Sequence, residues 1–150
     1  MQERGAQTKI TIETLVKADL NTVWAAWNNP EDIKQWNAAS DDWHTTQSSV
    51  DLCEGGKFSS RMEAKDGSAG FDFEGTYTRI VAQKTIEYRL GDGRDVKVEF
   101  TGGADGVFVR ETFEAESQND QELQRRGWQA ILDNFARHVE AKDVAGTAGN

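Results

Sequence analysis

The sequence predicts an α+β domain: a curved antiparallel sheet of about six or seven strands around a long C-terminal helix, with two short helices after the first strand. Three observations predict it. From Asp42 to Ala115 the chain is a series of runs that alternate apolar and polar residues, broken by turns such as Asp66-Gly67, Gly91-Asp92-Gly93 and Asp105-Gly106. Asp-Gly turns between alternating runs are hairpin signals, and a succession of them makes a meander. From Asn119 to Lys142 the period becomes helical, with Trp128, Ile131, Leu132, Phe135 and Val139 in one arc of about 100°. Ahead of the meander, the only proline, Pro30, separates two short helical patterns.

The elements follow in order. Lys9 to Val16 (KITIETLV) has the alternation and β-branched content of a strand. Ala18-Asp19 then offers a cap to a helix carrying Leu20, Val23, Trp24 and Trp27 at i, i+3, i+4 and i+7. Asn29-Pro30 opens the second helix, with proline at its first position, Glu31 and Asp32 in its first turn, and Ile33 and Trp36 on one side. Gly55-Gly56 introduces KFSSRMEAK; the runs FDFEGTYTRIVA, KTIEYRL, RDVKVEFT and GVFVRETFEA follow. Apolar faces at period 2 are marked by Phe58/Met62, Phe71/Phe73/Tyr77, Ile86/Tyr88/Leu90, Val96/Val98/Phe100 and Val107/Val109/Phe113.

The last helix takes Asn119 or Asp120 as N-cap, carries Glu122 in its first turn, and would be about 33 Å long. Its apolar stripe is interrupted in the first two turns, where Gln121, Gln124 and Gly127 face the core. Either these positions leave room for a ligand, or Gly127 admits a close strand and the glutamines are solvated. The folded domain is expected over residues 8–142, with 1–7 and 143–150 as flexible termini.

Composition narrows the function. One domain accounts for 150 residues. A net charge of −9, with no basic stripe, argues against nucleic-acid binding, which needs clustered Lys and Arg. The lone Cys53 fits a reducing compartment, and no apolar run is long enough to span a membrane, so a soluble, cytoplasmic protein is expected. No metal or cofactor is expected. His44 and His138 are far apart in sequence, and the glycine turns precede strands, whereas phosphate-cradling loops precede helices.

Several short motifs carry a family resemblance: Val23-Trp24, Trp36, Gly55-Gly56-Lys57-Phe58, Gly75-Thr76-Tyr77, Glu111-Thr112-Phe113, and Gly127-Trp128 with Ile131-Leu132. In their order and spacing, over about residues 8 to 142, the chain resembles the helix-grip fold of the START-like (SRPBCC) superfamily. Within it, the chain is similar to the family named after the C-terminal domain of the activator of the Hsp90 ATPase. The resemblance implies a cavity between the sheet and the last helix. Relatives hold lipids, hormones or polyketides there, and a few are cyclases or hydrolases. The family's name implies a chaperone partner.

Glu111 is the most informative polar residue, because alternation through Val107, Val109, Glu111 and Phe113 puts a carboxylate on the apolar face. A buried carboxylate needs a partner or takes a proton. Glu111 therefore holds a ligand's polar end, serves as an acid or base, or is tied structurally. In Ser40-Asp41-Asp42-Trp43-His44, a histidine beside carboxylates is either a proton relay or a polar turn. Trp24 and Trp27 are expected to pack the short helices on the sheet, with Trp36, Trp43 and Trp128 nearer the cavity.

The leading expectation is a binding module for a small hydrophobic or amphipathic ligand. Its wall is expected from Phe58, Met62, Phe71, Phe73, Tyr77, Tyr88, Val98, Phe100, Ile131 and Phe135, with Glu111, Tyr77 and Gln124 reading the polar end. A chaperone-partner protein and a cyclase or hydrolase using Glu111 or His44 are the alternatives.

Overall fold

The computed structural model describes residues 8–148, with side chains through Lys142. The expected flexibility of 1–7 and of the last two residues lies outside the described residues. In chain order the elements are β1 (Lys9–Val16), α1 (Leu20–Asn28), α2 (Pro30–Trp36), β2 (Trp43–Val50), β3 (Lys57–Ala64) and β4 (Gly70–Val81). They continue with β5 (Thr85–Leu90), β6 (Asp95–Gly103), β7 (Gly106–Glu114) and α3 (Gln121–Ala148). Seven strands form one antiparallel sheet in the order β1-β7-β6-β5-β4-β3-β2, the helix-grip arrangement that the resemblance implies. Helix α3 runs on to Ala148, past the expected end at Lys142.

Local chemistry starts and stops each helix. Asp19 caps α1 through its carboxylate, 2.8 Å from the Thr22 N–H, and Asn29 caps α2 by accepting from Glu31 N–H at 2.8 Å. Asp120 caps α3, accepting from the N–H groups of Glu122 and Leu123 at 3.1 and 3.2 Å. Strand β2 is the one strand that the sequence patterning does not delimit. Its inner positions include Thr45 and Ser48, and a bulge between Thr45 and Gln47 breaks its alternation.

The core lies between the inner face of β1, β7, β6 and β5 and the helices. Val16, Val23, Ile86, Val98, Val109, Phe135 and Val139 are wholly buried in it. Phe135 sits edge-on between Trp27 and Trp36, with ring centroids 4.9 Å from each. Trp24 packs on Phe100 at 5.3 Å.

Two side-chain arrangements hold α3 in place. The Arg125 guanidinium and the Gln129 amide donate to the Thr11 and Glu13 carbonyls at 2.9 and 3.0 Å, so the helix satisfies the free edge of β1. At the other end, the buried Asp32 of α2 is met by His138 Nε2 at 2.9 Å and Lys142 Nζ at 2.7 Å. Burial alone would raise the Asp32 pKa; the hydrogen bonds and charge of Lys142 and His138 outweigh it and hold the carboxyl below the ordinary 3.8.

Candidate functional site

Helix α3 packs chiefly on β1 and the two short helices, leaving space over the middle of the sheet. That space is a cavity of about 280 Å³. Strands β2 to β4 contribute Val50, Phe58, Ser60, Met62, Phe71, Phe73 and Tyr77 to its wall. Tyr88, Glu111 and, from the β5–β6 turn, Arg94 complete the sheet side. The helices close it with Trp27, Ile33, Trp36, Asn37, Trp128 and Ile131.

Phe58 is the hub of the wall. Its ring lies 4.8 Å from Tyr88, 5.4 Å from Tyr77 and 5.8 Å from Phe73. Gly75 makes this possible, since a Cβ there would come within 2.8 Å of the Phe58 ring and 2.7 Å of the Arg89 carbonyl oxygen. Across the space, Trp128 stacks on Phe113 at 3.9 Å with ring planes 8° apart. Phe71, 47% exposed and 5.9 Å from Trp43, forms the rim.

The polar groups are few and unusually free. Glu111 is 6% exposed, and no hydrogen bond or ion pair reaches its carboxyl among the described residues. Burial pushes its pKa up to about 8, so at neutral pH it carries a proton. Burial, then the negative charge of Glu111, drives the Tyr88 hydroxyl well above its ordinary 10. Burial, then the charge of Asp51, takes Tyr77 up to about 12. Burial and charge, with no hydrogen bond, account for both shifts among the described residues. Arg94, by contrast, is engaged: its Nε donates to Asp92 at 2.8 Å and its Nη1 to the Glu114 carbonyl at 3.3 Å.

Two larger depressions, of about 640 and 540 Å³, lie elsewhere. The first is on the outer face of the sheet, among charges that already pair, such as Arg110 with Glu13 at 2.9 Å and Arg89 with Asp95 at 2.8 Å. The second, between Lys34, Lys65, Arg137 and His138, is polar and includes His44 and Trp43. Volume favours these two. The smaller cavity is the better candidate because it alone joins an apolar enclosure to buried polar groups without partners.

Of the residues singled out in the sequence, Trp36, Phe58, Met62, Phe71, Phe73, Tyr77, Tyr88, Glu111, Trp128 and Ile131 come together on this wall. Val98, Phe100 and Phe135 are packed in the core instead, and Trp43 stands outside the wall beside Phe71. Gln124 is also off the wall. Its amide donates to the Glu116 and Asn119 carbonyls at 3.0 and 2.9 Å and accepts from Glu116 N–H at 2.9 Å, fastening the loop into α3. A Cβ on Gly127 would meet nothing within 4 Å, so no strand approaches closely there. His44, the second residue of β2, lies opposite Glu63 and off the wall that holds Glu111.

Trp27, Ile33, Asn37, Val50, Ser60 and Arg94 are wall residues that the sequence reading did not name as such. Ser60 was legible, since it alternates with Phe58 and Met62; Ile33 shares a helix face with Trp36. Arg94, in a turn, carried no signal. Among the described residues no group of three or more His, Cys, Asp or Glu could hold a metal, and no helix is long and apolar enough to cross a membrane.

Comparison with known proteins gives a consistent picture. A family model described as activator of Hsp90 ATPase homolog 1-like protein matches residues 17–140. The solution structure of an AHSA1-like protein from Aeromonas hydrophila is 52% identical, with a TM-score of 0.85 over 90% of this chain and 94% of that one. A solution structure from Cytophaga hutchinsonii is 44% identical, with a TM-score of 0.78 over 89% and 93%. A crystal structure from Chromobacterium violaceum shares the fold at 20% identity, with a TM-score of 0.79 over 89% and 98%. None of the curated proteins matches.

Proposed function

The chain belongs to the activator of Hsp90 ATPase homolog 1-like family, and from that premise we propose that it binds a small hydrophobic or amphipathic molecule between the sheet and α3. One observation carries the reading: an aromatic-walled cavity of about 280 Å³ holds a buried carboxyl that has no hydrogen bond or ion pair among the described residues. Leaving such a group unpartnered costs on the order of 1 to 3 kcal/mol, a cost that a ligand's polar end would remove. The volume suits a compact ligand of two or three rings.

The test uses the neutral fluorophore N-phenyl-1-naphthylamine. Its emission should rise on mixing with the protein. Met62→Trp, which fills the space from β3, should weaken that binding about tenfold or more while leaving circular dichroism unchanged. Wild-type protein that gives no emission gain would refute the reading.

A second reading follows the family's name, which refers to activation of the Hsp90 ATPase. Phe71 and Trp43 at the rim form an apolar spot that suits a protein partner. A pull-down with purified chaperone that retains none above background would dismiss it.

A further inference from the structure

Resting on the cavity reading, we propose that Glu111 meets the ligand as a hydrogen-bond donor, so that the cavity selects an uncharged aromatic molecule bearing a carbonyl-type acceptor and rejects the matching carboxylate. Glu111 on β7, Tyr88 on β5 and Tyr77 on β4 all reach one apolar space, and each has an O–H with no partner among the described residues. A ligand that brought only further donors could be accepted by these oxygens but would leave their O–H groups without an acceptor. An acceptor such as a ketone, lactone or quinone oxygen answers them directly.

Charge points the same way. The groups facing Glu111 are Tyr77 from β4, Tyr88 from β5 and Arg94 from the β5–β6 turn. The neighbouring strands β1 and β6 pair Ile12 and Val98 with it, and the helices present Asn37, Trp128 and Ile131, none of which titrates. Arg94 is the one cation among the described wall residues; its Nε is paired with Asp92 and its Nη1 donates to the Glu114 carbonyl, two of its five N–H groups. A ligand carboxylate would therefore have to share Arg94 with Asp92 and lie close to a second carboxyl, losing its water on the way. An uncharged carbonyl pays far less for the same entry. The aromatic preference comes from the ring faces and edges of Phe58, Phe73 and Trp128, which suit a flat molecule.

Protonation then becomes part of recognition. A carbonyl needs the acid form of Glu111, and the free protein loses that proton near pH 8. At pH 9 about a tenth of the protein would hold it, so carbonyl affinity should fall about tenfold from its value at pH 6.5. A hydrocarbon makes no such demand, and its affinity should stay level.

The experiment compares three probes of one skeleton: 2-acetylnaphthalene, 2-naphthoate and 2-ethylnaphthalene. Each displaces N-phenyl-1-naphthylamine from wild type, Glu111→Gln and Glu111→Leu, at pH 6.5 and pH 9. The ketone should bind wild type at least about tenfold more tightly than the carboxylate at pH 6.5. Glu111→Leu should lower the ratio of ketone to hydrocarbon affinity about tenfold, and Glu111→Gln, which keeps an N–H donor, should retain the ratio and lose the pH dependence. If the carboxylate binds as tightly as the ketone, or the ratio is the same in Glu111→Leu and wild type, the inference fails while the hydrocarbon's binding leaves the cavity reading standing. If none of the three probes nor the fluorophore binds wild type, both fail together.

Discussion

A protonated carboxyl inside an apolar cavity must write itself into the pH dependence of stability. Unfolded, Glu111 titrates at the ordinary value of 4.5; folded, burial moves it up to about 8. Below pH 4.5 both states carry the proton, and the site adds no pH dependence. Between 4.5 and about 8 the unfolded chain has released the proton while the folded chain keeps it, so stability falls as pH rises. Above about 8 both states are ionised and the curve levels. At about 1.4 kcal/mol per pH unit, the interval from 4.5 to about 8 amounts to roughly 5 kcal/mol.

Glu111→Gln removes the titration and changes the volume little, so the difference between variant and wild type isolates this one group from every other carboxylate. The variant should match wild type near pH 4.5 and exceed it by up to about 5 kcal/mol at pH 8.5. For a domain of this size that is a rise in Tm of about 10 to 20 °C. Water drawn in beside the ionised carboxylate would lower the figure, and half of it still suffices. Urea titrations at half-unit steps from pH 4.5 to 9 provide the assay. A difference that stays within about 0.5 kcal/mol between pH 5 and 8.5 would refute the burial argument.

Two further predictions concern how the cavity and α3 are held. Gly75→Ala places a methyl group where the Phe58 ring and the Arg89 carbonyl already stand, and should destabilise by about 1 to 3 kcal/mol in denaturant titrations; a variant as stable as wild type would show that the ring moves aside freely. Asp32→Asn should cost about 1 kcal/mol at pH 7, a modest figure because the Lys142 side chain is 51% exposed and solvent screens its charge. The contribution of Asp32, whose folded pKa is depressed, is present above the ordinary 3.8 and fades as pH falls through the lower folded value, so the variant and wild type should converge in acid. A gap that persists there would mean that the ion pair is not its source.

The architecture was legible because each of its signals is periodic. Alternation exposes six of the strands, and the arc from Trp128 to Val139 identifies α3. β2 carried no such signal, since Thr45, Ser48 and a bulge replace apolar alternation on its inner face. The site was legible where face alone decides membership, as at Phe58, Met62, Phe73, Tyr77, Tyr88 and Glu111. It was not legible where depth decides: Val98 and Phe100 share that face, but lie beneath the helices where the core is filled. Gln124 shows a different limit. The wheel places it inward correctly, but the loop from Glu116 to Asn119, which occupies its amide, has no periodic trace.

The closure of the β1 edge by α3 also governs how the protein is made. Glu13 of β1 meets Arg110 of β7, 97 residues later in the chain, and the same strand waits for Arg125 and Gln129 to cover its other side. At about 5 to 20 residues per second, a ribosome leaves β1 unpartnered for roughly 5 to 20 s. Contacts this distant in sequence also give a high contact order, which slows folding once the chain is complete. Synthesis therefore cannot lock the domain in progressively from its N-terminal end. The strand made early is secured late, and the interval between is when the nascent chain is most open to mispairing.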